Sequence, residues 1–242
     1  IMENGGGHGH MNHCAAAIIE DCRLTDIQRT AILSGIAEGK RVFSQTMERM
    51  PKTKTKTYTS KLLYELVNTH VEEAILKDPY LNLSVEHRMA GFYPYIVVRD
   101  RARNIAALVL PIPSDKEFEP CLFRGDFAIA NIDRLMAMGV TEEELDVDID
   151  YQPSLPFGIE HLPFGLIVSY DREKNLVYEG ALKPSQDGWL FNENVTEKAV
   201  VGGGNVVSFP RQVYDDTDIS IGLSETALQE SERGIDTKNN HV

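Results

Sequence analysis

The sequence predicts an α+β protein in which an N-terminal helical hairpin packs on a mostly antiparallel sheet and a hairpin-rich, acidic C-terminal part follows. Three observations carry this. Apolar residues recur at three- and four-residue steps across residues 25–78, the period changes to two at Leu81, and strand-like runs then come in pairs around short polar turns.

Thr25 opens the first helix. In "TDIQ" its hydroxyl can accept a backbone N–H while Gln28 reaches back to the cap. Ile27, Ala31, Ile32, Ile36, Phe43, Met47 and Met50 then keep the helical step until Pro51 ends it. Gly35 and Gly39 lie one turn apart, each costing about 1 kcal/mol relative to alanine, so a close crossing or a bend is expected there. The second helix has Ser60 as its expected N-cap, and Leu62, Leu63, Leu66, Val67, Val71, Ala74 and Ile75 make its stripe before Asp78-Pro79. The two form a helical hairpin.

From Leu81, the residues Leu81, Leu83, Val85, His87 and Met89 alternate with Asn82, Ser84, Glu86 and Arg88, which makes a strand with one solvated face. "YPYIVV" and "IAALVLPI" flank "RDRARN" at 99–104 as a hairpin. The second arm barely alternates, so both its faces should be covered and it should lie mid-sheet, with the helices on one side. Residues 118–131, around "CLFRGDFAIA", read as extended. A short helix in "IDRLMAM" follows, closed by Gly139, and "TEEEL" at 141–145 starts another by a capping box. "GLIVSY" and "LVYEGAL" bracket the charged tip "DREKN" at 171–175, "GWLFNENV" adds a strand, and "GGGNVVSF" adds a short terminal one.

The expected organisation is a vector-derived or mobile leader over 1–13, one α+β domain over 14–213 with its best sub-boundary in the Pro-rich 151–163, and an acidic mobile tail over 214–242. Apolar runs are too short to span a bilayer, so no membrane partner is expected. Three cysteines (Cys14, Cys22 and Cys121) are too few to staple a chain of 242 residues, and a reduced, cytoplasmic setting fits them.

Charge is distributed unevenly. The net charge of -13 divides into +2 for residues 1–110 and -15 for 111–242, and residues 23–61 hold nine basic side chains against three acids. Lys52, Lys54 and Lys56 alternate with threonines in "PKTKTKTYTSK" at 51–61. In an extended run they would form one row of ammonium groups for a phosphate backbone. With Lys40, Arg41, Arg49 and Lys61 they constitute the expected polyanion-binding set. The simpler account is a solvated loop between helices.

No complete catalytic, metal or nucleotide motif is present, and no cofactor or metal is implied. His8, His10, His13, Cys14 and Cys22 lack the spacing of a tetrahedral zinc site. "GGGN" at 202–205 lacks the Gly-Lys-Ser/Thr ending of a P-loop. A helix glutamate followed by a strand aspartate is the outline of restriction-type nucleases, but the Glu-x-Lys they need is missing from "NIAALVLPIPSDKEFE". In "DVDID" at 146–150 the aspartates share a face, yet Tyr151 and Phe157 stand where an EF-hand needs glycine and glutamate.

The expected function is therefore a non-catalytic interaction or regulatory protein that contacts a polyanion such as nucleic acid, or an acidic protein partner, through the basic helical hairpin. Two alternatives are a metal-dependent hydrolase or nuclease using Glu72, Asp100 and Asp148, and an acidic mimic of nucleic acid built from the carboxylates of 141–150 and 171–218.

Overall fold

In a computed structural model of the chain, residues 13–50, 57–112, 121–145, 163–183, 185–186 and 188–198 are described. The architecture is α+β. Helix α1 (His13–Asp21) leads into α2 (Asp26–Arg49) and α3 (Thr57–Leu76), and six strands form one sheet in sequence order. These are β1 (Leu83–Ala90), β2 (Tyr93–Asp100), β3 (Ile105–Pro111), β4 (Phe164–Tyr170), β5 (Val177–Leu182) and β6 (Trp189–Asn194). Every neighbouring pair is antiparallel except β3 and β4. No described helix is long and apolar enough to cross a membrane.

The capping box at Thr25 forms as its residues require. Gln28 N–H donates to the threonine hydroxyl, and the Gln28 side chain accepts the Thr25 N–H. The second helix starts earlier than Ser60 implies, at Thr57, so Ser60 sits in its first turn rather than at its cap. Gly35 and Gly39 mark a close crossing. A Cβ on Gly35 would lie 2.4 Å from the Val71 Cα, and one on Gly39 would lie 2.6 Å from the Val67 Cα. The two backbones touch because neither glycine has a side chain to hold them apart.

Strand β3 is buried on both faces and lies between β2 and β4, as its unbroken apolar run implies. The helices, however, do not all lie on one side. Ile105, Ala107 and Val109 join the core built from α2 and α3, whereas Ala106, Leu108 and Leu110 join a second cluster with Phe127 and Ala128. Those last two belong to α4 (Leu122–Ala137), a single helix where the sequence predicts an extended segment followed by a short helix. The correction has a topological cause: parallel β3 and β4 need a crossover, and a helix is the usual form of one. The helix ends as its glycine demands, with Gly139 at φ +98, and α5 (Glu142–Leu145) follows.

Helix α4 is docked by one side chain. Beyond Ile167 and Gly180 the β4–β5 ladder has no further pairs, and fully buried Asn131 fills the opening. Its Oδ1 accepts the Gly165 N–H at 2.7 Å, and its Nδ2 donates to the carbonyls of Gly165 and Leu182 at 3.0 and 3.2 Å. Gly165 is required there, since a Cβ would fall 1.8 Å from the Phe127 carbonyl oxygen.

The α2–α3 crossing yields a direct test. Replacing Gly39 by alanine removes about 1 kcal/mol of helix penalty but drives a methyl into the α3 backbone. Overpacking of that kind costs about 1–3 kcal/mol. Urea denaturation should show net destabilisation for Gly39→Ala; a stabilised variant would mean that the helices do not cross this closely.

Candidate functional site

Part of the charge placed early in the chain is consumed by the fold. Glu179, in β5, is fully buried. Its Oε1 accepts the Leu24 N–H at 3.1 Å and Arg23 Nε at 3.4 Å, and its Oε2 accepts Arg29 Nε at 2.7 Å. Arg29 also reaches Asp26 and the Leu24 carbonyl, and Arg23 reaches Glu20 and Glu193. The α1–α2 link and the first turn of α2 are thereby tied to β5. These arginines serve the core.

A second buried network surrounds Asp100 at the end of β2. Gln28 Nε2 donates to Oδ2 at 2.9 Å, Arg103 Nε donates to the same oxygen at 2.8 Å, and the Arg103 N–H reaches Oδ1 at 3.1 Å. Burial alone would raise this carboxyl, but the hydrogen bonds from Gln28 and Arg103 outweigh it and hold it below the usual carboxylate range. Arg103 goes on to the Arg23 carbonyl and Gln28 Oε1, while Arg134 of α4 donates to the Arg103 and Asn104 carbonyls. Asp100 thus joins α2, α4 and the β2–β3 turn.

Glu72 faces elsewhere. Its carboxylate meets His87 Nε2 at 2.9 Å. His87 stands opposite Ile96 and Asp100 stands opposite Leu83, so the two positions are four residues of strand apart, roughly 13 Å. A shared metal would require about 5 Å or less. Asp148 lies outside the described residues. Among the described residues no three His, Cys, Asp or Glu side chains gather as a metal site would need. Of the acids proposed as a phosphate mimic, Asp171 caps the N–H groups of Glu173 and Lys174, Glu179 is buried, and Glu193 holds Arg23 and Lys198.

The basic helical hairpin is also less open than the sequence implies. Lys40 points inward, only 2% exposed, and its ammonium donates to the carbonyls of Asp171 at 2.8 Å and Lys174 at 2.7 Å, closing the β4–β5 turn. It is removed from the expected surface set because it falls on the inward stripe of α2, one turn after buried Ile36 and one before buried Phe43. Arg41 is exposed but forks onto Glu38 at 2.7 and 2.6 Å, and Lys61 lies 3.7 Å from Glu65. Arg49 is exposed in the last turn of α2. Lys52, Lys54 and Lys56 lie outside the described residues.

A richer positive surface stands on the β1–β2 hairpin. The register sets Ser84 opposite Arg99, Glu86 opposite Val97 and Arg88 opposite Tyr95, so all six lie on one face of the ladder. Arg88, Arg99 and Arg101 converge on the single carboxylate of Glu86 at 2.9, 3.3 and 3.7 Å. Partial burial would raise the Glu86 carboxyl, but the hydrogen bond from Arg88 and the charge of Arg99 lower it on balance. Three guanidiniums against one acid leave a positive excess. The ladder with β3 stops at Val97, so the end of the hairpin projects beyond it. There Phe92 is 90% exposed, Met89 61% and Tyr93 47%. The sequence alternation puts Ser84, Glu86 and Arg88 on one face of β1, but of these only Arg88 is exposed, and Val97 opposite Glu86 is fully buried; the addition of Arg99 and the tyrosines needs the pairing register.

No family model, curated protein or solved structure matches this chain.

Lys40 carries a pH signature. Burial lowers its pKa from 10.5 to about 8, against the opposing charge of Asp171, and a neutral amine still has two N–H bonds for its two carbonyls. Between about pH 8 and 10.5 the unfolded chain holds a proton that the folded chain has released, so stability from this position rises with pH. The unfolding free energy of the wild type, measured against Lys40→Met, should be flat below pH 8 and climb across that window. A flat difference throughout would contradict the assignment.

Proposed function

We propose that this is a non-catalytic protein that contacts a polyanion, nucleic acid being the foremost candidate, through positive charge on its N-terminal half. The observation that carries the reading is the convergence of Arg88, Arg99 and Arg101 on one carboxylate at an exposed hairpin. Guanidiniums that must share one acid have N–H groups left to donate to phosphate oxygens, and their planar forks suit that geometry. Lys52, Lys54 and Lys56 are the sequence's own candidates for the same role, adjacent to the start of α3. The acidic remainder of the chain, with its net charge of -13 overall, disfavours indiscriminate association with polyanions.

A hydrolytic reading has less support. Asp100 spends both oxygens on Gln28 and Arg103, and Glu72 is held by His87. A carboxylate that is to bind a metal or activate water needs lone pairs to offer.

Binding of a fluorescent oligonucleotide measured from about 50 to 200 mM salt tests the proposal, because each phosphate contact adds about 0.7 to the slope of log K against log salt on a single strand. Affinity should fall steeply with salt in the wild type. Replacing Arg88, Arg99 and Arg101 by glutamine should flatten the slope by about 2, and the same change at Lys52, Lys54 and Lys56 reports the share of the lysines. Absent or salt-independent binding would refute the reading.

A further inference from the structure

The β1–β2 hairpin carries more than charge. The ladder face that holds Arg88, Glu86 and Arg99 also holds Tyr93 and Tyr95 by strand alternation. Tyr95 meets Phe123 of α4 with ring centroids 5.4 Å apart, and the Arg124 guanidinium lies over the Phe123 ring at 5.3 Å. At the tip, Gly91 takes φ +58 and leaves Phe92 almost wholly in water. The exposed rings of Phe92 and Tyr93 stand at the tip, Arg88 follows on β1, and Arg99 and Arg101 lie beyond Glu86, while Val97 between Tyr95 and Arg99 is fully buried; from Tyr93 to Arg99 this strip runs six residues of strand, about 20 Å.

We infer that this strip is a platform for single-stranded nucleic acid, with bases stacking on Phe92 and Tyr93 and phosphates meeting Arg88, Arg99 and Arg101. The inference rests on the polyanion reading above and adds the class of ligand. Charge alone suits a duplex equally well, but a duplex keeps its bases stacked on each other and offers no π face to a protruding phenyl ring. Unpaired bases do, and a groove that pairs aromatic rings with positive charge is the recurrent solution for binding them. An anionic bilayer would also take exposed aromatics next to arginine. Against it, the positive charge does not stay at the tip. Arg88, Arg99 and Arg101 gather on Glu86, away from Phe92 along the ladder, as a ligand lying along the hairpin requires and a surface meeting only the tip does not.

The two sets of groups can be separated by experiment. Binding of labelled oligothymidylate, a duplex of the same length and phosphatidylserine vesicles is measured for the full chain, for Phe92→Ala/Tyr93→Ala and for Arg88→Gln/Arg99→Gln/Arg101→Gln, with thermal unfolding as the check that each variant folds. The wild type should prefer the single strand. The aromatic variant should lose roughly tenfold or more in affinity for it, with little change for the duplex and an unchanged salt slope, while the arginine variant should weaken both nucleic acids. Equal affinity for the two nucleic acids, or an aromatic variant that binds oligothymidylate as the wild type does, would overturn the stacking platform while leaving the polyanion reading intact if the salt slope still depends on the arginines. An arginine variant that binds both as the wild type does removes the polyanion reading itself. Binding to vesicles with none to oligothymidylate would overturn both in favour of a membrane surface.

Discussion

The buried carboxylate of Glu179 is the constraint on which the arrangement of charge in this molecule depends. A fully desolvated carboxylate must be paired, and taking away one partner of such a group costs about 3–5 kcal/mol. It therefore draws Arg23, Arg29 and the Leu24 N–H inward and fixes where the N-terminal helices meet the sheet. Asp100 does the same for Arg103 and Gln28 at the end of β2, and the carbonyls of the β4–β5 turn do it for Lys40. What reads in the sequence as a continuous basic segment is thus divided into groups that hold the fold and groups that face water. Among the described residues, the positive excess that survives this division stands out on the β1–β2 hairpin.

Shape is set by a few positions without side chains and by one amide. Gly35 and Gly39 let α2 and α3 touch along their backbones, and Gly165 lets α4 reach β4. Asn131 then supplies the hydrogen bonds that β4 and β5 cease to give each other. Helix α4 also brings Phe123 against Tyr95, so the cover it gives reaches Val97 of β2 and leaves the tip of the β1–β2 hairpin open. The candidate contact face is a consequence of that incomplete cover.

Local chemistry made much of the fold legible in the sequence. The Thr25 box, the apolar stripe of α3, the double-sided run of β3 and the Gly139 stop each depend on residues within a few positions of one another, and each appears where those residues imply. Helix α4 is not legible because "CLFRGDFAIA" has no capping side chain and no clean period, and its reason for being a helix is the parallel pairing of β3 and β4, the strands that flank it in the sequence. The helix α1 is hidden beside the glycine- and histidine-rich stretch at residues 5–10. Lys40 shows the limit for sites: its exposed or buried state depends on turn carbonyls more than 130 residues distant. The strip of Arg88, Arg99 and Tyr93 was half visible, since alternation gave the face of β1 and only the register supplied its partner strand.

In the proposed contact, nucleic acid meets the β1–β2 hairpin, and the basic helical hairpin contributes chiefly where its side chains are not already engaged. Amide hydrogen exchange of the full chain with and without saturating oligothymidylate tests it most directly. Slowed exchange over residues 84–99, with α2 between Asp26 and Arg49 unchanged, is the result predicted. Slowed exchange along α2 with residues 84–99 unaltered would contradict it.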